Sequence, residues 1–234
     1  MIGFFSTPPP ALQAAPDPMI TFSRRQWKGG TGNPSSATFD STPVEGNLLV
    51  VFAWHRTDPD EPTISGSGWT RHIYVEITGE TRREIACWAK VAGASEPTTI
   101  TVDYGVVSSM IIQEFAADEA VTWAYEAHAR GDGGSGDSSI ATDNTSSIAA
   151  GNNLELGFVA LRTANTNHVT FSDFTSRAIG NVVTENTTED SGRATAAGWA
   201  QTSDAGTRST TGNWSSSTPP SSASVFIVVY RGTT

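Results

Sequence analysis

The chain has 234 residues, a formal net charge of −10, 37% hydrophobic and only 16% charged residues, and 22 glycines. That length suits one large all-β domain or two small ones, with a core that needs no metal or disulfide staples. An acidic chain whose only lysines are Lys28 and Lys90 is a poor match for nucleic acid, and no apolar run approaches the roughly 20 residues of a membrane helix.

The start, Met1-Ile2-Gly3-Phe4-Phe5-Ser6, lacks a positive region and runs into Pro8-Pro9-Pro10, so a secretory signal is not expected. Residues 1–18 read as an extended Pro-rich arm, because Pro8, Pro9, Pro10, Pro16 and Pro18 cannot donate ladder hydrogen bonds. Ile2, Phe4 and Phe5 at its tip would dock on another chain or fold back on the domain.

Strands are predicted at 20–27 and 38–42, with a Gly/Asn/Pro/Ser loop at 29–36 between them. The densest apolar run is Leu48-Leu49-Val50-Val51-Phe52-Ala53-Trp54, apolar on both faces of an extended strand and therefore a central strand covered on both sides. Further strands follow at 69–77, 84–91, 98–104 and 107–115. In 116–129 the alternation of Val121, Trp123, Tyr125 and Ala127 favours a strand over a helix. The second half reads as strands at 138–142, 154–161, 175–183, 193–202, 208–214 and 223–230.

Leu154-Glu155-Leu156-Gly157-Phe158-Val159-Ala160-Leu161 echoes the first apolar run, except that Glu155 and Gly157 suggest one partly wet face. Gly68-Trp69-Thr70-Arg71 then corresponds to Phe174-Thr175-Ser176-Arg177. Trp88-Ala89-Lys90 matches Trp199-Ala200-Gln201, and Ser109-Met110-Ile111-Ile112 matches Val225-Phe226-Ile227-Val228. The fold class implied is all-β: a jelly-roll-like antiparallel β-sandwich of two similar halves, about 38–115 and 138–232 within a single domain 19–234, behind the Pro-rich N-terminal arm.

No constellation of catalytic residues stands out, and neither a cofactor nor a metal is implied. His55, His72, His128 and His168 show no metal-ligand spacing, and Cys87 alternates into a strand as a small buried hydrophobe. Gly134-Ser135-Gly136 lacks the final glycine of a nucleophile elbow. Glu76, Glu80 and Glu84 with Arg82 and Arg83 read as a solvated charged hairpin. The acidic loop residues Asp58, Asp60 and Glu61, like Asp132 and Asp137, do not follow a calcium-loop pattern. Of seven tryptophans, Trp27, Trp69, Trp123 and Trp214 lie near predicted strand ends, where they would stack on sugar faces or partner proteins, or plug the ends of the sandwich.

Gly46-Asn47-Leu48-Leu49-Val50-Val51, Gly68-Trp69-Thr70, Trp88-Ala89-Lys90-Val91-Ala92-Gly93-Ala94-Ser95-Glu96-Pro97 and the late Val228-Val229-Tyr230-Arg231-Gly232 together resemble β-sandwich minor tail and virion accessory proteins of tailed bacteriophages. The ending Tyr-Arg-Gly often follows the first half's last strand in that pattern, and here that place reads Gln113-Glu114-Phe115. The resemblance implies a virion role, with assembly in the bacterial cytoplasm, and nothing about chemistry; with no catalytic constellation in the sequence, a non-enzymatic structural protein is expected. Its expected partners are other virion structural proteins and further copies of itself as a homo-oligomer, with no nucleic acid and no membrane insertion; the alternative is a carbohydrate-binding module or host-surface adhesin that holds host-surface glycan with its Trp-bearing loops.

Overall fold

The structure, a computed structural model, describes residues 19–56, 61–77, 83–133, 136–162, 168–172, 183–188, 193–215 and 222–234. The arm with Ile2, Phe4 and Phe5, the Gly134-Ser135 pair, the 173–179 part of the proposed repeat and all but the last residue of the strand expected at 175–183 lie outside the described residues. All regular structure described is β. The first eight strands are β1 (Phe22–Gly32), β2 (Ser35–Thr38), β3 (Leu48–His55), β4 (Thr63–Ile64), β5 (Thr70–Ile77), β6 (Arg83–Val91), β7 (Thr99–Asp103) and β8 (Ser108–Ala117). The second eight are β9 (Thr122–Gly133), β10 (Ser139–Ala141), β11 (Asn152–Arg162), β12 (His168–Ser172), β13 (Val183–Thr188), β14 (Arg193–Thr202), β15 (Thr211–Ser215) and β16 (Ser222–Thr233).

The sheet order of the first set is β4-β7-β2-β1-β8-β3-β6-β5, and that of the second is β12-β15-β10 beside β9-β16-β11-β14-β13. Adding eight to each strand number converts the first order into the second. In the first set Gly32 and Ser35 join β1 to β2, so one sheet curls over on itself; in the second the two sheets stay separate. Each set is a jelly roll, a five-stranded layer facing a three-stranded one. Gly30 and its counterpart Gly131 sit where β1 and β9 pass under the three-stranded layers. A Cβ at either would run into a carbonyl oxygen, of Ser36 or of Ala141. This close approach, not a loop, is what Gly30 serves, and the turn shrinks to Asn33 and Pro34.

The expected antiparallel β-sandwich of two similar halves is present, and each half is itself a complete roll of two layers whose first strand begins at Phe22 or at Thr122. The reason is that central strands apolar on both faces need two covers. In the first roll Leu49, Val51, Ala53, Trp88, Met110 and Ile112 pack under Ala37, Ile100, Val102 and Tyr104. In the second, Val159, Leu161, Val225, Ile227 and Val229 pack under Ile140, Val169, Phe171 and Trp214. The opposite faces of both five-stranded layers meet in a third, shared core that includes Val50, Phe52, Trp54, Cys87, Leu156, Phe158, Phe226 and Tyr230.

The face of β11 expected to be partly wet is covered by the second roll's own three-stranded layer. Glu155 is 0% exposed and is neutralised by the Arg208 guanidinium at 2.5 Å, with a hydrogen bond donated by Thr202 Oγ1 at 3.1 Å.

Hydrogen-bond register also corrects the internal match. Phe52 pairs with Cys87 and Ile111, and Phe158 with Ala197 and Phe226. Trp199, opposite Leu156, is therefore the counterpart of Ala89, opposite Val50, and Trp88 is the counterpart of Gly198. Likewise Met110 corresponds to Val225, and Tyr230-Arg231-Gly232 to Phe115-Ala116-Ala117. The matches read from residue identity are one position out, and with a side-chain period of two that slip reverses the face. Trp88 faces the first roll's inner core, whereas Trp199 faces the shared one.

With the register corrected, counterparts meet each other. Phe52 stacks on Phe158 with ring centroids 4.6 Å apart and planes 3° from parallel, and Phe22 meets its counterpart Trp123 at 4.9 Å. An approximate twofold axis thus runs along the strands between the rolls. Trp54 Nε1 donates to Thr195 Oγ1 across it, and the Gln201 amide clasps the Ile20 carbonyl and the Phe22 N–H.

Truncating Phe158 to Ala removes half of the on-axis stack from a closed interior and should cost about 3–5 kcal/mol. Because the core is shared, both rolls should unfold together: tryptophan fluorescence and circular dichroism in urea should give one coincident, shifted transition. Arg208→Met should cost a similar amount, about 3–5 kcal/mol, because it strands the Glu155 carboxylate in the second core. The same denaturation curves measure it.

Candidate functional site

The four tryptophans named from sequence do not converge. Trp214 is 5% exposed within the second roll, and its indole N–H donates to the Asp137 carbonyl at 2.8 Å, so it plugs that roll's interior. Trp69 packs against the first roll's core, donates to the Ser65 carbonyl at 3.0 Å, and carries the Lys90 ammonium 5.1 Å from its ring centre. Trp27 lines an open cleft along β1 of about 500 Å³, where Lys28 pairs with Asp40 at 3.0 Å. Trp27 and Trp123 both pack against the shared core between the rolls, and Trp123 lines a groove at that seam, donating to the Gly46 carbonyl at 3.1 Å.

At the seam, β5 of the first roll lies over β9 of the second, and β-bulges set the chemistry. His72 is the extra residue of a bulge in β5, between Arg71 and Ile73, which turns its ring toward β9. A second bulge leaves Glu126 unpaired between Tyr125 and Ala127. The added residue puts Tyr125 and His128 on one face at a spacing of three, and the tyrosine hydroxyl and His128 Nδ1 share a hydrogen bond at 2.5 Å. Tyr125 stacks on His72 with centroids 4.3 Å apart and planes 6° from parallel, and Tyr230 meets both rings edge-on. A groove of about 230 Å³ results, lined by Thr70, His72, Trp123, Tyr125, Tyr230 and the Lys90 stem, with Tyr125 37% exposed at its mouth.

The counterpart bulge, at Arg25 in β1, does the same with other side chains: Arg24 lies 5.8 Å over the Trp27 ring. One backbone device thus yields a cation on an indole in one roll and a tyrosine-histidine pair in the other.

Burial lowers the pKa values of both His72 and His128, with His128 adding to the effect at His72 and Arg130 at His128. Burial raises Tyr125 and, more strongly, Tyr230. The groove is therefore neutral at pH 7, a surface of aromatic faces edged by hydroxyl and imidazole groups. Cys87, pushed up to about 12 by burial, contacts Tyr230 below it as a neutral thiol.

Three carboxylates of the described residues are buried and engaged: Glu84 lies 3.6 Å from His55 Nε2 and accepts from the Tyr74 hydroxyl at 3.2 Å, and the other two sit inside separate rolls. Glu155 is held by Arg208, and Glu114 accepts from Asn47 Nδ2 at 2.6 Å, the Val44 N–H at 2.8 Å and Gln26 Nε2 at 2.5 Å. Among the described residues no group of three or more His, Cys, Asp or Glu is placed to hold a metal ion.

Sequence reading missed His72 and Tyr125 as groove residues because nothing local marks a bulge in β5 or β9. The hairpin expected to be solvated is corrected as well: Arg83 and Glu84, at its second strand, are buried. No family model matches the chain, and no curated protein or solved structure is significantly similar to it.

Because the folded-state pKa values of His72 and His128 lie below the ordinary 6.5, the unfolded chain takes up protons first as the pH falls. Their contribution to stability is fully present above pH 6.5 and is lost as pH falls through 6.5 toward the folded values. Urea midpoints measured from pH 8 to 5 should hold steady and then decline. The His72→Gln/His128→Gln double variant should flatten the decline just below 6.5.

Proposed function

We propose that the chain is a non-enzymatic structural protein of a tailed phage virion, a minor tail or accessory component that docks through its N-terminal arm and presents its rolls outward. The observation that carries this reading is the shared core. Closing two jelly rolls over the Phe52–Phe158 stack makes one stiff block whose strongest interactions are spent on holding shape. The sequence strings that resemble tail proteins support the same reading, falling at β3, the start of β5, the end of β6 with the loop after it, and β16. The way Glu114 and Glu155 are consumed in separate interiors favours a scaffold over acid–base chemistry, which needs a carboxylate pair facing one cleft.

A second reading, glycan binding, is favoured by one observation, the groove at the seam. The Tyr125 face, the Trp123 edge and the neutral His72 offer the stacking surface and few polar groups with which proteins hold sugar rings. On this reading the block is an attachment protein whose host contact lies between the rolls.

Mass spectrometry of purified virions from the host that carries this gene should find the chain in stoichiometric amounts. Phe4→Ala/Phe5→Ala should leave the fold intact and abolish incorporation, because burying two phenylalanines and an isoleucine contributes on the order of 5 kcal/mol. Normal incorporation of that variant would rule the arm out. A glycan array on the purified protein tests the second reading, with Tyr125→Ala losing any binding that depends on the groove.

A further inference from the structure

The groove beside Tyr125 has a neighbour. Along β9 the side chains on the seam face run Trp123, Tyr125 and then, past the bulge at Glu126, His128 and Arg130. The first two line the groove already described, and the second two line another cavity of about 350 Å³. Val75 of β5 and the buried Phe226 of β16 lie beneath this second cavity, and the exposed Asp143 and Asn144 form its rim. Both cavities are bounded by β5 on one side and β9 on the other, the first through Thr70 and His72 and the second through Val75, so they follow one another along the seam. The hydrogen bond between Tyr125 and His128 marks the step from one to the next. At about 230 and 350 Å³ each is near or below the low end of the ~300–1,000 Å³ of a site that encloses a whole small ligand. Together they suit a ligand with two like-sized units in line.

The rim of the second cavity is held in place by its own backbone. The Asp143 N–H donates to the Arg130 carbonyl at 3.0 Å, the Thr142 N–H to the Thr210 carbonyl at 2.9 Å and the Thr145 N–H to the Arg208 carbonyl at 2.8 Å. The Thr142 and Thr145 hydroxyls accept in return from the Thr210 and Arg208 N–H groups at 3.0 and 2.9 Å. A carboxylate and an amide are thus set over β9 in advance, which removes the ordering cost that a loose loop adds to binding. The two cavities differ in chemistry: the first presents ring surfaces with few polar groups, the second hydrogen-bond donors and acceptors above an apolar floor. The cations that line them are already matched, Lys90 with Glu96 at 2.6 Å and Arg130 with Asp132 at 2.9 Å.

We infer that the two cavities are successive subsites for one linear, uncharged oligosaccharide lying along β9, with one sugar ring against Trp123 and Tyr125 and the next between His128 and the Asp143-Asn144 rim. The inference rests on the glycan reading of the groove and adds the length and charge of the ligand. A sugar ring has a face of C–H groups that packs on an aromatic ring and an edge of hydroxyls that both donate and accept, so neighbouring units of one chain satisfy first the aromatic cavity and then the amide and carboxylate. An acidic sugar would bring its own carboxylate beside Asp143, where the lining cations among the described residues are already paired. A peptide added as a strand would need the outer edge of β9, where the Asp143 N–H holds the Arg130 carbonyl.

The test titrates the full chain, by calorimetry, with ladders of glucose, galactose, mannose and N-acetylglucosamine oligomers from the single sugar to the tetrasaccharide, and with galacturonate oligomers as the acidic comparison. In a ladder that binds, the disaccharide should bind at least roughly tenfold more tightly than its single sugar. Asp143→Ala/Asn144→Ala should erase that gain; the loop's bonds run through its backbone and two threonines, so the variant keeps the fold. Tyr125→Ala should abolish binding at every length. Silence of every ladder overturns the glycan reading and this inference with it. Binding that does not tighten from the single sugar to the disaccharide, a gain undiminished in Asp143→Ala/Asn144→Ala, or tighter binding of galacturonate than of galactose oligomers overturns the inference alone and leaves the glycan reading standing.

Discussion

The contact on which the remainder of the molecule depends is the meeting of two apolar sheet faces along an approximate twofold axis, with Phe52 stacked on Phe158 at its centre. Each five-stranded layer is apolar on both sides, so a roll by itself would leave Val50, Phe52, Trp54 and their neighbours, or Leu156, Phe158 and Tyr230, in water. Burial of such faces is the main favourable term in folding, and it scales with area. The shared core therefore makes the two rolls one cooperative unit and fixes where their edges meet.

Those edges and ends are where function can reside, because they are where the apolar match stops. At the Phe22 and Trp123 end the seam is closed by rings, and the Gln201 amide ties the incoming chain to the second roll. At the side where β5 crosses β9, bulges at His72 and Glu126 turn aromatic groups into a shallow groove. At the far end serines and arginines replace the apolar side chains. The two rolls share their backbone plan down to the paired bulges at Arg25 and Glu126, yet carry different side chains on it: Arg24 over Trp27 in one, Tyr125 bonded to His128 in the other. The frame is repeated, and the chemistry at its openings is not.

Burial acts differently on the two polar interiors. Glu155 and Arg208 sit inside the second roll as a compensated pair, as does Glu114 among its donors in the first, and both stabilise shape. Arg83, in the gap between rolls, has no hydrogen-bond partner at Nε or Nη1.

The sequence alone determined the strands and their faces. Leu48 through Trp54 is apolar on both sides, so it had to be a central strand, and the segment 116–129 had to be extended rather than helical because Trp123 and Tyr125 keep period two. It also showed that two halves are alike. It did not determine that each half is a complete roll, because a two-faced apolar strand announces that it needs two covers without saying which segments supply them; the short strands β4 and β12 carry too little pattern to be seen. Nor did it resolve the register of Trp88 against Trp199, since identical residues one position apart look alike on the page and face opposite ways in a sheet. The groove and the arginine end were decided only in three dimensions. Their residues are far apart in sequence and meet because two sheets pack face to face, and the bulges that aim His72 and Tyr125 arise from inter-strand register that no local run of residues encodes.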